Sequence, residues 1–416
     1  APFRFAVCYY SGICFCIATL IVTKYAGTAI VDEPISFGVP IPMGEVTDLS
    51  SLSVVGIDGK EIDLLCGSNS PMMNVGINNP SQGEIMKTTF LSVLCLVVFC
   101  FSTVSSYAQK TPTGNPADFK VKTCLHSVSY AGFWRGQARL TLDEFLVKAK
   151  DLGFDGVMLM AKKPHLSPLD FDEQAREKLR HRIKELGLEL VCLAGYTDFS
   201  AGVDKPGVPH AEIQAAYVGQ LAKLARDLGT GMVRIFTGYE REGVAWDKQY
   251  ALVVQGLKLA GKEAAKYGIT LAVQNHHDIA LHHEAMHWLL REVDLPNVMA
   301  AWDAWSPTLE GLSSEEIRQS ILRMKPYLVH TTNADYVRLP RYSYVHHLTN
   351  YQEQMPVLRA VPFGEGFIDY GNFINTLKQI GYQGYMAYEL CEVLDGGGSI
   401  ENLDKAARKF IKYVKS

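Results

Sequence analysis

The feature that most constrains the fold is an alternation of short apolar segments and longer amphipathic segments, repeated eight times after Asp118. The short segments have the length and residue types of strands, and the longer ones carry apolar residues at helical spacing. We predict strands at residues 121–124, 156–160, 189–194, 232–236, 270–274, 299–303, 327–330 and 385–389. The intervening helices are predicted at residues 140–152, 172–186, 210–228, 247–267, 279–293, 313–324, 370–380 and 400–414.

Eight strand–helix units within residues 119–416 fit a closed (β/α)₈ barrel (a TIM barrel) better than an open doubly wound sheet. No glycine fingerprint for a dinucleotide follows the first predicted strand, which argues against a Rossmann domain. Ser313 and Glu316 have the spacing of a capping box, and glycine follows several predicted helices. The site of such a barrel lies at the carboxyl ends of its strands.

The residues before the barrel have a different pattern. Met86-Lys87 is followed by an apolar run at 90–101 and by small residues up to Ala108, which is typical of a secretory signal peptide over residues 86–108. We therefore predict an exported protein, periplasmic or secreted. A polar linker, residues 109–118, then leads into the barrel at residues 119–416.

Residues 1–85 are an upstream segment of uncertain status. An apolar run at 5–22 has borderline length for a signal anchor or a second signal peptide, and residues 34–65 alternate as short β-strands. We interpret Met86 as the natural start, with residues 1–85 contributed by an upstream fusion or a gene-model error.

Charge and cysteine content exclude several classes of function. Residues 1–108 hold 4 Lys and Arg against 8 Asp and Glu, whereas the remaining chain holds 36 of each, so it has no basic stripe for nucleic acid. The 9 cysteines show no metal-binding spacing, and an odd number cannot all pair. We expect no nucleic-acid partner and no stable membrane span in the mature barrel, while a homo-oligomer is compatible with the sequence.

Three successive predicted strands end in residues that can bind a metal ion. Asp303 ends the sixth strand, His330 the seventh and Glu389 the eighth. If they point into one barrel mouth, these oxygen and imidazole ligands suit Mn²⁺ or Mg²⁺, with Zn²⁺ or Co²⁺ as alternatives.

The barrel resembles the xylose-isomerase-like superfamily of sugar isomerases and epimerases. The resemblance rests on the order and spacing of LAVQNHHD (271–278), AAWDAWSP (300–307), LVHTTNADY (328–336), VPFGEGFIDY (361–370) and GYQGYMAYEL (381–390). It implies a metal held by side chains at the ends of strands five to eight and proton transfer next to a carbonyl or hydroxyl carbon.

The sequence departs from that family at Gln274. Family epimerases usually carry Glu there, both as a metal ligand and as an acid/base, whereas an amide can coordinate through its oxygen but cannot accept a proton near neutral pH. We therefore expect Gln274 as a fourth metal ligand. Glu389 is a candidate base, and His276, two residues past Gln274, is a candidate second acid/base or an alternative metal ligand.

Other polar and aromatic residues near strand ends are candidates for binding the substrate. Lys163 and His165 can contact a substrate oxygen or anchor their loop, and Trp134 and Trp305 can stack on a sugar ring. The full predicted set is Trp134, Lys163, His165, Trp305, Asn333 and Arg338. Arg338 lies in a long segment after the seventh strand that we expect to be a loop acting as a lid or rim.

We predict a metal-dependent isomerase or epimerase acting on a sugar or sugar-derived polyol. Alternatives are a lyase or dehydratase on the same barrel and a carbohydrate-binding barrel without catalysis. An endonuclease-IV-like activity is disfavoured by the balanced charge of residues 109–416.

Overall fold

The computed structural model describes residues 119–416, except Pro206 and His277, and the backbone of five strands from the first 118 residues. The chain divides into two compact units, Ala1–Phe101 and Ser102–Ser416. The predicted signal peptide at 86–108 and the linker at 109–118 lie outside the described residues.

The N-terminal unit contains two small antiparallel sheets. Strands β1, β2 and β3 form one sheet, and β4 pairs with β5 in the other. The apolar run at 5–22 is divided between β1 and β2, whose register pairs Phe3 with Leu20, so it is not one continuous segment here. The strands are Phe3–Tyr10, Ile13–Leu20, Ile35–Pro40, Val54–Val55 and Glu61–Ile62.

The second unit is the predicted closed barrel of eight parallel strands. These strands pair in chain order, and the last pairs with the first, which confirms the predicted (β/α)₈ architecture. In chain order they are β6 Lys122–His126, β7 Gly156–Met160, β8 Glu189–Ala194, β9 Met232–Ile235, β10 Thr270–Gln274, β11 Val298–Ala301, β12 Leu328–Asn333 and β15 Tyr385–Tyr388.

Nine α-helices are described, and none of them is long and apolar enough to cross a membrane. Eight correspond to the predicted helices within a few residues, whereas the short α6 was not predicted. The helices are α1 Leu142–Leu152, α2 Glu173–Glu185, α3 His210–Leu228, α4 Trp246–Ala265, α5 His283–Val293, α6 Trp305–Glu310, α7 Ser314–Met324, α8 Tyr370–Gln379 and α9 Ile400–Lys415.

The helix ends follow the signals in the sequence. The predicted capping box is confirmed, because the Ser313 hydroxyl accepts the Glu316 N–H and the Glu316 carboxylate accepts the Ser313 N–H. Gly153 and Gly229 end α1 and α3 with φ values of 87° and 86°, a left-handed conformation that favours glycine.

The barrel interior combines small and larger apolar side chains with one long cationic side chain. A buried cluster at alternate positions of the barrel strands includes Met232 and the alanines Ala194, Ala301 and Ala387. Arg234 lies two residues after Met232 and therefore faces the same interior, where its side chain is fully buried. The small neighbours leave the space that this long side chain occupies.

The segment after β12 is a long hairpin, so the prediction of a loop is wrong. Strand β13, Asp335–Val345, pairs antiparallel with β14, Asn350–Val361. Aromatic and β-branched residues in this segment favour extended structure. Its side chains are mostly exposed beyond the first two residues.

Candidate functional site

The four predicted metal ligands lie on four neighbouring barrel strands or directly after them. Gln274 ends β10, Asp303 follows β11, His330 lies in β12 and Glu389 follows β15. All four residues are buried, with Glu389 the most accessible at 6% of its residue surface. The prediction that Gln274, Asp303 and Glu389 lie at or next to strand ends therefore agrees with the structure, whereas the predicted end of the seventh strand at His330 is wrong, because β12 continues to Asn333.

Asp303 is held by hydrogen bonds from two sides. The Gln274 amide donates to Oδ2 at 3.0 Å, and the Ser306 N–H donates to Oδ1 at 3.1 Å. The backbone N–H of Asp303 donates to Asn275 Oδ1 at 2.7 Å, which fixes the turn after β11. Burial raises the pKa of Asp303 to about 7 in spite of these bonds.

Glu389 lies between two basic side chains. Its Oε1 is 3.3 Å from His126 Nδ1 and 3.9 Å from Arg234 Nη2. Burial alone would raise the pKa of Glu389, but His126, Arg234 and His276 hold it well below its usual range. Burial also lowers the pKa of His126, against the opposing effect of Glu389. Glu389 is therefore an ionised carboxylate at neutral pH.

Arg234 and Lys162 are charged site residues that our sequence reasoning missed. Arg234 donates through Nη1 to the Gly195 carbonyl at 3.1 Å, while its guanidinium lies 4.1 Å from the Phe236 ring. Lys162 Nζ lies 3.6 Å from the centre of the Tyr196 ring. The available signal was an arginine within the apolar run of β9, at an alternate position that faces inward.

His330 is a buried neutral imidazole. Burial and then the charge of Arg234 lower the pKa of His330 to about 3. Its Nε2 lies 3.9 Å from Cys192 Sγ, and Nδ1 has no hydrogen-bond partner among the described residues. A neutral imidazole with an unused nitrogen is the form that binds a metal.

The donor chemistry of these residues fits a divalent cation. In the described part of the chain, no three His, Cys, Asp or Glu side chains are grouped closely enough to form a metal site by themselves. However, Gln274 Oε1 and His330 Nδ1 are both buried without a hydrogen-bond partner among those residues. Such unsatisfied buried atoms are costly, and a bound cation would satisfy them.

His276 packs against two aromatic side chains near the predicted metal ligands. Its ring centre is 5.1 Å from that of Phe236 and 4.9 Å from that of Trp305. Trp305 in turn lies 5.4 Å from the ring of Tyr336. The proposed acid/base His276 and the proposed sugar-stacking Trp305 are therefore in direct contact.

Two predicted substrate-binding residues, which lie in the loop after β7, already have partners within the protein. Lys163 is largely exposed, and its amino group lies 3.4 Å from Asp170. His165 is buried, with Nε2 3.0 Å from the Leu140 carbonyl and its ring stacked on Phe145. These contacts correspond to the loop-anchoring alternative for both residues.

The other predicted substrate-binding residues are spread around the mouth. Trp134 packs against the interior cluster. The Asn333 amide is buried and donates to the Ala387 carbonyl at 3.1 Å. Arg338 lies in β13 with its guanidinium 4.7 Å from the Phe367 ring. Their roles in binding remain predictions.

A closed eight-stranded barrel with polar side chains at the carboxyl ends of its strands is the architecture of TIM-barrel enzymes. The chain belongs to the family described as xylose isomerase-like TIM barrel, whose model matches residues 146–414. This membership confirms the resemblance inferred from the sequence motifs.

Named relatives include epimerases and a dehydratase. L-ribulose-5-phosphate 3-epimerase UlaE from Escherichia coli O157:H7 is 26% identical over 263 residues, covering 59% of this chain and 81% of the relative. The structure of D-psicose 3-epimerase with D-tagatose from Clostridium cellulolyticum H10 matches with 14% identity and a TM-score of 0.54, covering 71% and 98%. The probable 3-DHS dehydratase AsbF from Bacillus anthracis matches with 19% identity and a TM-score of 0.53, covering 70% and 99%. The relatives bear out the expected class, an enzyme of the sugar isomerase and epimerase kind.

Proposed function

We propose that this protein is a metal-dependent isomerase or epimerase that moves a proton next to the carbonyl of a sugar or sugar-derived polyol. The observation that carries the proposal is the placement of four donor side chains on four neighbouring strands: Gln274 at the end of β10, Asp303 and Glu389 just after β11 and β15, and His330 within β12. Two of these residues present buried atoms without a hydrogen-bond partner among the described residues.

Four side chains would hold the metal: Gln274 through Oε1, Asp303 and Glu389 through carboxylate oxygens, and His330 through its ring. A divalent cation in such a site polarises the carbonyl of the sugar and stabilises negative charge on its oxygen. The ligand types favour Mn²⁺ or Mg²⁺, with Zn²⁺ or Co²⁺ as alternatives.

The protein's own acid/base groups are Glu389 and His276. The Glu389 carboxylate is ionised and takes the proton from the carbon next to the carbonyl. His276 lies against Trp305 and gives a proton to the opposite face of the same carbon in an epimerisation, or to the former carbonyl carbon in an isomerisation. Phe236 and Trp305 both pack against the His276 ring, and Trp305 offers a surface for the sugar ring.

A second candidate function is a dehydratase or other lyase. The observation that favours it is the amide at the end of β10, because Gln274 donates to Asp303 and cannot itself transfer a proton. In that reaction Glu389 removes the proton and His276 protonates the departing hydroxyl. A barrel that only binds carbohydrate would show neither product.

The test is product analysis by chromatography after incubation with a panel of ketoses and keto-sugars in the presence of Mn²⁺. We expect an epimer or aldose from at least one sugar, and Glu389→Gln should abolish its formation. Glu185→Gln, at the exposed end of α2, is the matched control with the same charge change. An unsaturated product would favour the lyase. No product from any sugar, or full activity in Glu389→Gln, would contradict the proposal.

A further inference from the structure

Two positively charged side chains share one aromatic ring at the barrel mouth. Lys162 Nζ lies 3.6 Å from the centre of the Tyr196 ring, and the Arg234 guanidinium carbon lies 5.3 Å from the same centre. Lys162 also lies 4.9 Å from the Phe133 ring. Aromatic faces attract cations, but they do not neutralise them.

Fewer carboxylates than cations lie near Arg234 and Lys162. Glu389, 3.9 Å away, is the one carboxylate within ion-pair distance of Arg234 among the described residues. In the same part of the chain, no carboxylate lies within ion-pair distance of Lys162. The nearby imidazoles of His126 and His330 do not supply negative charge.

The hydrogen-bonding capacity of the pair is also unfilled. Arg234 is fully buried, yet its Nε and Nη2 have no hydrogen-bond partner among the described residues. Lys162 is half-buried, and burial followed by the charge of Arg234 lowers its pKa. Keeping two cations in this setting is costly unless an anion joins them.

We propose that the substrate carries an anionic oxygen group, a carboxylate or a phosphate, which binds to Lys162 in front of Arg234. Lys162 is the more accessible cation and makes the direct contact. Arg234 lies deeper, next to the same ring, and adds its positive charge to that of Lys162. Charge-assisted hydrogen bonds to carboxylate or phosphate oxygens are among the strongest in proteins.

This inference deepens the proposed function by naming the substrate class, and it rests on that function only in treating the ligand as a sugar. A neutral sugar would leave Lys162 without a counter-charge and would gain nothing from Arg234. The preference is therefore expected in binding, before any chemistry occurs.

Isothermal titration calorimetry with D-glucuronate, D-glucose 6-phosphate and D-glucose tests the inference on the full chain. We expect one of the two anionic sugars to bind at least about tenfold more tightly than glucose, as one charged hydrogen bond predicts. The preferred anion distinguishes a carboxylate site from a phosphate site. Lys162→Met should abolish the preference, and Lys162→Arg should retain most of it.

Lys262→Met is the matched control, because Lys262 is an exposed lysine on α4. This variant should keep the preference of the parent for anions. Equal binding of all three sugars, or an unchanged preference in Lys162→Met with a native circular dichroism spectrum, would overturn the inference. Anion preference without any epimer, aldose or unsaturated product would instead contradict the proposed function and leave the binding inference standing.

Discussion

Arg234 and Glu389 form an ion pair inside the closed barrel, with Nη2 of the arginine 3.9 Å from Oε1 of the glutamate. The side chain of Arg234 is completely buried and that of Glu389 is 8% exposed. Each charge is therefore stabilised by the other more than by water. The proposed base and the deepest cation of the site depend on one another.

Replacing Arg234 with Met should destabilise the barrel because Glu389 is left as a buried carboxylate without its permanent counter-charge. We expect a loss of about 3–5 kcal/mol in the free energy of unfolding, measured by urea denaturation. The double variant Arg234→Met/Glu389→Gln should recover part of this loss. If the double variant is less stable than Arg234→Met, the pair is not the source of the effect.

Metal binding should depend on Gln274 at the end of β10 and on His330 within β12. His330→Ala should lose bound Mn²⁺ after dialysis, because it removes the imidazole, and Gln274→Ala should bind Mn²⁺ more weakly than the parent. Metal content is measured by inductively coupled plasma mass spectrometry, with circular dichroism as the control for folding. Full occupancy in His330→Ala would exclude it as a ligand.

Asp155, which directly precedes β7, should make the free energy of unfolding depend on pH. Its Oδ2 accepts hydrogen bonds from the Thr123 N–H at 2.7 Å and the Thr123 hydroxyl at 2.8 Å. Burial alone would raise the pKa of Asp155, but these bonds and Lys415 lower it in the folded state.

The folded-state pKa of Asp155 is lowered. The contribution of Asp155 to the free energy of unfolding is therefore fully present above the unfolded-state pKa, and it is lost as pH falls through the folded-state pKa. Asp155→Asn should cost about 1 kcal/mol at pH 7, below the usual range for hydrogen bonds to a charged group, because solvent screens this partly exposed carboxylate. The difference between variant and parent should shrink below about pH 4. A difference that is constant from pH 7 to pH 3 would contradict this assignment.

A chain beginning at Gln109 should fold without the residues before it, because all eight barrel strands lie downstream. Its thermal unfolding should match that of the barrel in the full chain. If residues 86–108 act as a signal peptide, the protein recovered from the periplasm or medium should begin at Gln109 on N-terminal sequencing. An insoluble 109–416 fragment beside a folded full chain would place the domain boundary earlier.

The strand and helix positions were predictable because each carries a local signal. Strand β8 and helix α3 occupy the predicted residues, since apolar runs, caps and glycines act within a few residues. The hairpin β13–β14 was missed because its exposed residues do not follow a buried strand pattern.

The ends of the strands located Asp303, His330 and Glu389, but not the charges around them. Arg234 is a site residue only because β9 turns it inward among alanines of other strands, which depends on the closure of the barrel. Lys162 and Arg234 likewise meet at the ring of Tyr196, and the three residues lie in or just after three different strands. The arginine within the apolar run of β9 is a local signal, but the side chains that it meets come from distant segments and cannot be identified from the sequence.

The central claim is proton transfer by Glu389 and His276, and hydrogen exchange in D₂O measures it most directly. The protein, loaded with Mn²⁺, is incubated in D₂O with the sugar that gives product, and ¹H NMR follows the proton next to the carbonyl. We expect that proton to be replaced by deuterium. Glu389→Gln should stop the exchange, and His276→Ala should slow turnover by about 10²–10⁴ while Mn²⁺ is retained. Product formed without deuterium at that carbon, or undiminished exchange in both variants, would contradict the account.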